Sequence, residues 1–203
     1  MDRYGGFEEL RREQEGSFVI CTKQGSSDVA ILAPHGGDIE PGTSEIAKAI
    51  AAKEHSYYLF EGRKRTGNQD LHITSANFDE PTAVSLAKQA ERIIAIHGCA
   101  GRRAVVYLGG LDVGLRNKVR QCLIEAGFKA EEHSDPNLQG IYPNNICNRS
   151  KINRGVQLEI ADALRERMFE DVNNRKGRQR TTPTFDRFVF AVRQAISSLN
   201  QLV

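Results

Sequence analysis

The stretch DVAILAPHGGDIEPGTSEIAKAI, residues 28–50, decides the fold because it predicts a strand that leads directly into a helix. Residues 28–33 form an apolar, partly β-branched run, which is typical of a buried strand. Thr43 or Ser44 can cap a helix that runs to about Lys53. A strand followed at once by a helix is the repeating unit of α/β proteins, so the rest of the chain is read for the same alternation.

The same alternation continues along most of the chain. Several strand candidates are apolar throughout, which is typical of strands buried on both faces of a mainly parallel sheet. We therefore expect an α/β fold: a mainly parallel, mixed sheet with helices on both faces, made mixed by an opening hairpin. The hairpin strands are residues 17–22 and 28–33, the later strands are residues 57–60, 93–96, 104–108 and 155–160, and the further helices are residues 81–92, 114–126, 161–168 and 184–199.

Length and composition favour one domain over residues 1–203, because 39% hydrophobic residues suffice for a single continuous core. Residues 1–16 form a polar N-terminal segment, residues 133–153 a long loop, and residues 173–182 a basic loop. The N-terminus lacks the apolar core of a signal peptide, and no apolar run reaches membrane-spanning length. The four cysteines are widely spaced, so we expect a reduced, cytoplasmic monomer without a membrane partner.

The charge distribution argues against a nucleic-acid partner. The formal net charge is only +2, although basic residues cluster at residues 63–65 and 175–180. Two solvated loops are the simplest interpretation of these clusters.

Candidate chemical groups follow three of the predicted strands. His35 comes after AILAP, His97 after IIAI, and Glu159 lies within GVQLEI. The carboxyl ends of parallel strands meet at one edge of a sheet, where functional groups gather. Glu40 returns from the Gly-Gly turn close to His35, and two imidazoles with one carboxylate form the ligand set of a catalytic zinc site.

Each of these residues also has a simpler interpretation. Histidines near strand ends are often only hydrogen-bonded, and Glu40 could be an acid at the start of a helix. Glu159 could form a structural ion pair with Arg154 or Arg165. Their expected concurrence at one edge of the sheet favours a functional site.

Five stretches, PHGGDIEPGTSEIA, YYLFEG, LHITSANFDEP, IHGCAG and NRGVQLEI, closely resemble the phage-associated poly-γ-glutamate hydrolases, in the same order. The resemblance extends from about Ala30 to Arg165. It implies a shortened relative of the zinc carboxypeptidases, with an open mixed sheet and one catalytic Zn²⁺ ion.

The resemblance also implies roles for individual residues. His35, Glu40 and His97 would bind the metal, and Glu159 would be the catalytic glutamate. Two alternatives stay open: Asp38 is closer by count to the HxxE pattern of the carboxypeptidases, whereas Glu40 fits HGGxIE. His72 could replace His97 as a ligand or contact the substrate.

The mechanism implied is attack of a metal-activated water on a γ-glutamyl amide, with Glu159 accepting the proton. Arg149 or Arg154 would neutralise the developing oxyanion, an interaction worth roughly 3 kcal/mol. The substrate would be the polyanion poly-γ-glutamate, held by bidentate arginines in a groove beside the active-site loop 133–153. Release by cell lysis would bring the enzyme to this polymer. The residues expected to line the groove are Arg63, Lys64, Arg65 and Arg116.

Three other functions compete with this one. The first is a zinc amidohydrolase or peptidase that acts on cell-wall γ-glutamyl bonds or acylated amino acids. The second is a phage nucleic-acid-binding protein without catalytic activity, which would bind in a steeply salt-dependent way. The third is a catalytically silent structural relative.

Overall fold

Seven strands form one sheet in the computed structural model, which describes residues 2–198. The strands are β1 (Phe18–Lys23), β2 (Val29–Gly37), β3 (Ser56–Gly62), β4 (Arg92–Cys99), β5 (Val105–Gly109), β6 (Lys129–Glu131) and β7 (Val156–Ala161). Their order is β1-β3-β2-β4-β7-β5-β6. Only the β1–β3 and β5–β7 pairs are antiparallel, which confirms the expected mainly parallel, mixed sheet.

Helices cover both faces of the sheet, as the sequence predicts. Neighbouring residues of β4 show why: Ile94 and Ile96 face one buried apolar cluster, and Ile93 and Ala95 face another. The helices are α1 (Phe7–Glu13), α2 (Thr43–Ala51), α3 (Pro81–Gln89), α4 (Val113–Glu125), α5 (Asp162–Arg165) and α6 (Pro183–Ser197). The first cluster includes residues of α2, α4 and α6, and the second includes residues of α1 and α3.

The predicted opening hairpin is wrong. β1 and β2 do not pair, because β3 lies between them, antiparallel to β1 and parallel to β2. β2 is apolar on both faces and takes parallel neighbours on both sides, whereas β1 is only half-buried and remains at the edge. The sheet is mixed because β1 is antiparallel to β3 and β5 is antiparallel to β7.

Several element ends differ from the sequence prediction. α3 stops at Gln89, because the backbone N–H groups of Glu91 and Arg92 donate to the Asp28 carbonyl and start β4. The helix after β7 ends at Arg165 rather than near residue 168, and the short strand β6 was not predicted. The polar segment 1–16 contains α1. The C-terminal helix runs over Pro183–Ser197, and Leu199, its predicted end, lies outside the described residues.

All four cysteines are free thiols. Within residues 2–198, no helix has the length and apolar character needed to cross a bilayer.

The turn after β2 positions the acid that follows it. Gly37 has a φ of +66°, and its backbone N–H donates to Ser44 Oγ at 3.1 Å. A β-carbon on Gly37 would lie 2.5 Å from the Gly62 carbonyl oxygen. Glycine is therefore required here both for its backbone conformation and for the close approach of β3.

We expect Gly37→Ala to destabilise the protein more than Gly127→Ala. Both glycines have positive φ, but a β-carbon on Gly127 would meet nothing within 4 Å. Gly127→Ala should lower the free energy of unfolding by about 1 kcal/mol. Gly37→Ala should lower it by roughly 3 kcal/mol, because the clash with Gly62 adds to the conformational cost. Urea titrations of both variants measure the difference, and equal losses would show that Gly62 does not constrain the turn.

Candidate active site at the carboxyl edge of the sheet

Two histidines and a glutamate converge at the carboxyl ends of β2 and β4. His35 Nδ1 lies 3.0 Å from Glu40 Oε1 and 3.1 Å from His97 Nδ1. His97 Nδ1 lies 3.7 Å from Glu40 Oε2. Both histidines are 2% exposed, so three potential ligand atoms face one another in a buried space.

Hydrogen bonds behind the cluster fix the orientation of each group. His35 Nε2 lies 2.8 Å from the carbonyl oxygen of Ile73, which can only accept, so Nε2 carries the proton. In the neutral ring, His35 Nδ1 therefore presents a lone pair to Glu40. The far nitrogen of His97, Nε2, lies 3.3 Å from Ser75 Oγ, and Glu40 Oε2 accepts from the Gly98 N–H at 2.8 Å. Metal-binding histidines typically have such partners on the opposite ring nitrogen.

The chemistry of this donor set fits a divalent cation. A lone pair on His35 Nδ1 facing a carboxylate is repulsive unless a proton or a metal ion lies between them. Although burial acts to raise the pKa of Glu40, positive charge on the imidazoles of His35 and His97 holds that pKa far below its ordinary value, so Glu40 is a carboxylate when a cation lies beside it. Two imidazole nitrogens and one carboxylate match the ligands of catalytic zinc sites, which keep one position open.

His72 offers a second possible arrangement. Its ring stacks on His35 with centroids 4.0 Å apart, and its Nε2 lies 3.9 Å from Glu40 Oε1. Potential ligand atoms of His35, Glu40 and His72 all lie within 4.8 Å of one another. Burial, together with the nearby His35, lowers the pKa of His72 to about 4, although Asp2 opposes this shift. His72 is therefore neutral at pH 7, and its Nδ1 lies 2.8 Å from Asp2 Oδ1.

Glu159 lies on β7, directly opposite His97 in the parallel register. It is 5% exposed, and its Oε1 accepts a hydrogen bond from Gln157 Nε2 at 2.9 Å. Gln157 is held in turn by Asn145 Nδ2, which donates to Gln157 Oε1 at 2.9 Å. Burial, together with the negative charge of Glu40, raises the pKa of Glu159 to about 8. A carboxyl group with a pKa raised in this way can exchange protons near neutral pH.

These groups line a pocket of about 670 Å³. The long loop contributes Asn137, Leu138, Tyr142 and Asn145 to its wall. Arg165 is the only arginine or lysine among the lining residues of the described chain.

Arg165 is the last residue of α5, the short helix that follows β7. Its Nε donates to the Ile160 carbonyl at 3.0 Å, its Nη1 donates to the Pro41 carbonyl at 2.6 Å, and its Nη2 bonds the Asp162 carboxylate. A β-carbon on Gly98 would lie 2.6 Å from the guanidinium carbon, so glycine there permits the close approach of Arg165. From the sequence alone, Arg165 is expected only as an ion-pair partner of Glu159, because its position beside the pocket depends on tertiary structure.

The structure does not bring the two arginines proposed for the oxyanion into this pocket. Arg149 donates to the carbonyls of Asn144, Ala76 and Phe78 at 2.8, 3.1 and 3.3 Å, so it fastens the long loop to the segment before α3. Arg154 does not line the pocket either.

Of the predicted substrate residues, His72 lines this pocket, whereas the arginines lie outside it. Arg63 and Arg65 line a separate groove, and Arg116 pairs with Glu132 at 3.3 Å. Asp38, the alternative metal ligand, bonds arginines instead: Arg175 Nη2 at 2.5 Å and Arg178 Nη2 at 2.6 Å.

Comparisons with known proteins point to one family. The sequence model of the poly-gamma-glutamate hydrolase family matches residues 4–191. The SPbeta prophage-derived UPF0714 protein YoqZ of Bacillus subtilis (strain 168) is 43% identical over 170 residues, which are 83% of this chain and 62% of YoqZ. The matched part of this chain thus spans about three fifths of that relative's length.

Two solved structures resemble the chain over its whole length. A bacteriophage poly-gamma-glutamate hydrolase superimposes with a TM-score of 0.95 at 31% sequence identity. The zinc-free apo form of YndL superimposes with a TM-score of 0.93 at 35% identity. Both matches cover 100% of each chain.

The ion pairs of Asp38 should make stability depend on pH. Burial acts to raise the pKa of Asp38, but hydrogen bonds from Arg175 and Arg178 outweigh it and hold that pKa below its ordinary value of 3.8. The unfolded chain then binds more protons than the folded one near pH 4, so this contribution is present above that pH and is lost below it. Asp38→Asn should therefore lower the free energy of unfolding by about 1 kcal/mol at about pH 6, and by less at about pH 3.

Urea titrations at both pH values measure this difference. Asp28→Asn is the matched control, because Asp28 is exposed and its carboxylate has no hydrogen bond or ion pair to any residue from 2 to 198. An Asp38→Asn loss that is the same at both pH values would contradict the assignment.

Proposed function

We propose that this chain, which belongs to the poly-gamma-glutamate hydrolase family, cleaves the γ-glutamyl amide bonds of poly-γ-glutamate with one bound zinc ion. The observation that carries the proposal is the convergence of His35, Glu40 and His97 at one end of a pocket that Glu159 also lines. When bound, the metal supplies Lewis-acid polarisation of the amide carbonyl and acidifies water to a pKa of about 7.

His35, His97 and Glu40 would hold this ion. The Ile73 carbonyl keeps the proton of His35 on Nε2, so Nδ1 is available as a ligand without prior deprotonation. The Gly98 N–H orients the Glu40 carboxylate in the same way.

Glu159 would move the proton. Gln157 donates to Glu159 Oε1, which leaves Oε2 to accept a proton from the attacking water. The same oxygen would then return the proton to the departing amine. Burial of Glu159 between β4 and β5 keeps its carboxyl in one position during both steps.

Arg165 would supply the positive charge that the substrate needs at the cleavage site. Each residue of poly-γ-glutamate has a free α-carboxylate, and the pocket already contains the acids Glu40 and Glu159. Arg165 has two N–H groups beyond the three that bond Ile160, Pro41 and Asp162. We therefore assign to Arg165 the role that was predicted from the sequence for Arg149 or Arg154, which is to neutralise the developing oxyanion.

Replacing Glu159 by Gln tests the proposed function. The amide keeps an oxygen for the Gln157 hydrogen bond but cannot accept the proton, so hydrolysis should fall by roughly 10³-fold. Zinc content should stay at one ion per chain. Polymer cleavage, followed by size-exclusion chromatography, and metal analysis of the purified protein measure the two effects.

Glu125→Gln, a change on the exposed surface of α4, is the matched control and should cleave at the parental rate. Chelation of the parent enzyme should abolish cleavage, and added zinc should restore it. Parental activity in Glu159→Gln, or full activity after complete removal of metal, would refute the proposal.

The two candidate third ligands can be distinguished by substitution. His97→Ala should weaken zinc binding on the order of 100-fold or more, because its Nδ1 is 3.1 Å from His35 Nδ1 and faces the same space. His72→Ala should retain zinc, because His72 Nδ1 is engaged by Asp2 and its Nε2 is farther from Glu40. Competition with a chelating dye gives both affinities. The opposite order would make His72 the ligand.

A further inference from the structure

We propose that a second groove, separate from the cleavage pocket, binds the carboxylates of a long γ-glutamyl polymer and holds the chain while it is cut. This inference rests on the proposed function and adds to it a binding site for the substrate outside the reaction centre. We call the site the basic groove and define it by its lining residues, which are Asp38, Arg63, Lys64, Arg65, Asn173, Asn174, Arg175 and Lys176.

Two loops that are far apart in sequence build the basic groove. Residues 63–65 follow β3, and residues 173–176 precede α6. Together they border an open surface groove of about 650 Å³. A volume of this size can hold several residues of a flexible polymer.

A buried arginine keeps the second loop in place. Arg178 is 2% exposed; its Nη1 donates to the Val172 carbonyl at 2.7 Å, its Nη2 to Asp38 at 2.6 Å, and its Nε to Glu45 at 2.9 Å. The loop is therefore fixed before any ligand arrives, which reduces the entropy lost on binding.

The turn between the metal-binding residues separates the two sites. Asp38 lines the basic groove, and the next residue, Ile39, lines the cleavage pocket. The two sites therefore meet at this turn, on neighbouring residues of the chain.

The charges of the groove suit a polycarboxylate. Arg63 pairs with Glu61 and Lys64 with Asp70, each at 2.9 Å. Arg65 and Lys176 are exposed, and no carboxylate of residues 2–198 lies within 4 Å of either. These two cations are therefore free to bind the carboxylates of a ligand, and guanidinium groups do so in a bidentate manner.

A nucleic acid is a poorer fit to the same groove. Proteins that bind single strands stack the bases on aromatic side chains. None of the residues that line the groove in the described chain is aromatic. The lining offers charge and amide groups, which match a polymer with carboxylates and amides along its length.

The double variant Arg65→Ser/Lys176→Ser tests this inference. For a long polymer, kcat/KM should fall roughly 10-fold through a higher KM, because the variant loses electrostatic capture of the chain. For a γ-glutamyl trimer, which is too short to occupy both sites, kcat/KM should not change. The polymer reaction of the parent should also weaken more steeply with added salt than that of the variant.

Lys53→Ser/Arg187→Ser is the matched control: it removes the same charge from two exposed positions outside the groove and should behave as the parent with both substrates. An unchanged KM for the polymer, an equal loss with the trimer, or an equal loss in the control would overturn the inference. It would also fail if a single-stranded oligonucleotide bound the parent as tightly as the polymer does. If the parent cleaves neither substrate, the proposed function itself is wrong.

Discussion

The structure depends on one electrostatic constraint. A carboxylate and the ring nitrogens of two histidines are buried against one another at the carboxyl edge of the sheet. His35 Nδ1 presents a lone pair to the carboxylate of Glu40 at 3.0 Å, and His97 Nδ1 closes the cluster at 3.1 Å from His35. Removing a carboxylate from water is costly unless it is paired or binds a metal. Glu40 is engaged on one oxygen by the Gly98 N–H, and Glu159 adds a second buried carboxyl to the same pocket. A cation bound between these groups would balance their charge and lone pairs.

The surrounding structure holds the turn that carries Glu40 at several points. The Gly98 N–H of β4 bonds the Glu40 carboxylate, Arg165 bonds the carbonyl of Pro41, and Arg178 bonds Asp38. Gly98 allows two of these contacts, since its backbone meets Glu40 while its missing side chain leaves room for Arg165. The turn that carries Glu40 is thus fixed from β4, from α5 and from the basic loop, which explains why a short glycine-rich segment can hold this carboxylate in one position.

The sequence predicts those features that depend on local patterns and on the general rules for parallel sheets. Apolar runs at β2, β4 and β7 give the strands, and the rule that carboxyl ends share an edge puts His35, His97 and Glu159 together. The sequence does not predict the features that depend on long-range contacts. The pairing of β1 with β3 depends on which strand is buried on both faces, and adjacency in sequence suggested a hairpin instead.

The arginines show the same limit at the level of single side chains. Arg149 precedes Glu159 in the chain and carries the right charge, but three backbone carbonyls bind its guanidinium. Arg165 reaches the pocket only because Gly98 and Pro41 lie beside it in the fold. Counting residues likewise cannot separate Asp38 from Glu40, because the partners of Asp38 are Arg175 and Arg178, which are more than 130 positions away in the sequence.

The same charge balance explains why capture and cleavage would be divided between two places. A polycarboxylate that approaches the metal-free pocket meets Glu40, Glu159 and Asp162, and Arg165 is the one lining arginine or lysine of the described chain. More arginines inside the pocket would compete with the metal for its ligands and would lower the pKa of Glu159, which proton transfer needs near neutrality. Positive charge beyond that of Arg165 would therefore lie outside the pocket and within about 8 Å of the polymer's path, because salt screens charges beyond that distance. Arg65 and Lys176 lie in the groove just beyond the Asp38–Ile39 turn, so they can attract the polymer without disturbing the chemistry.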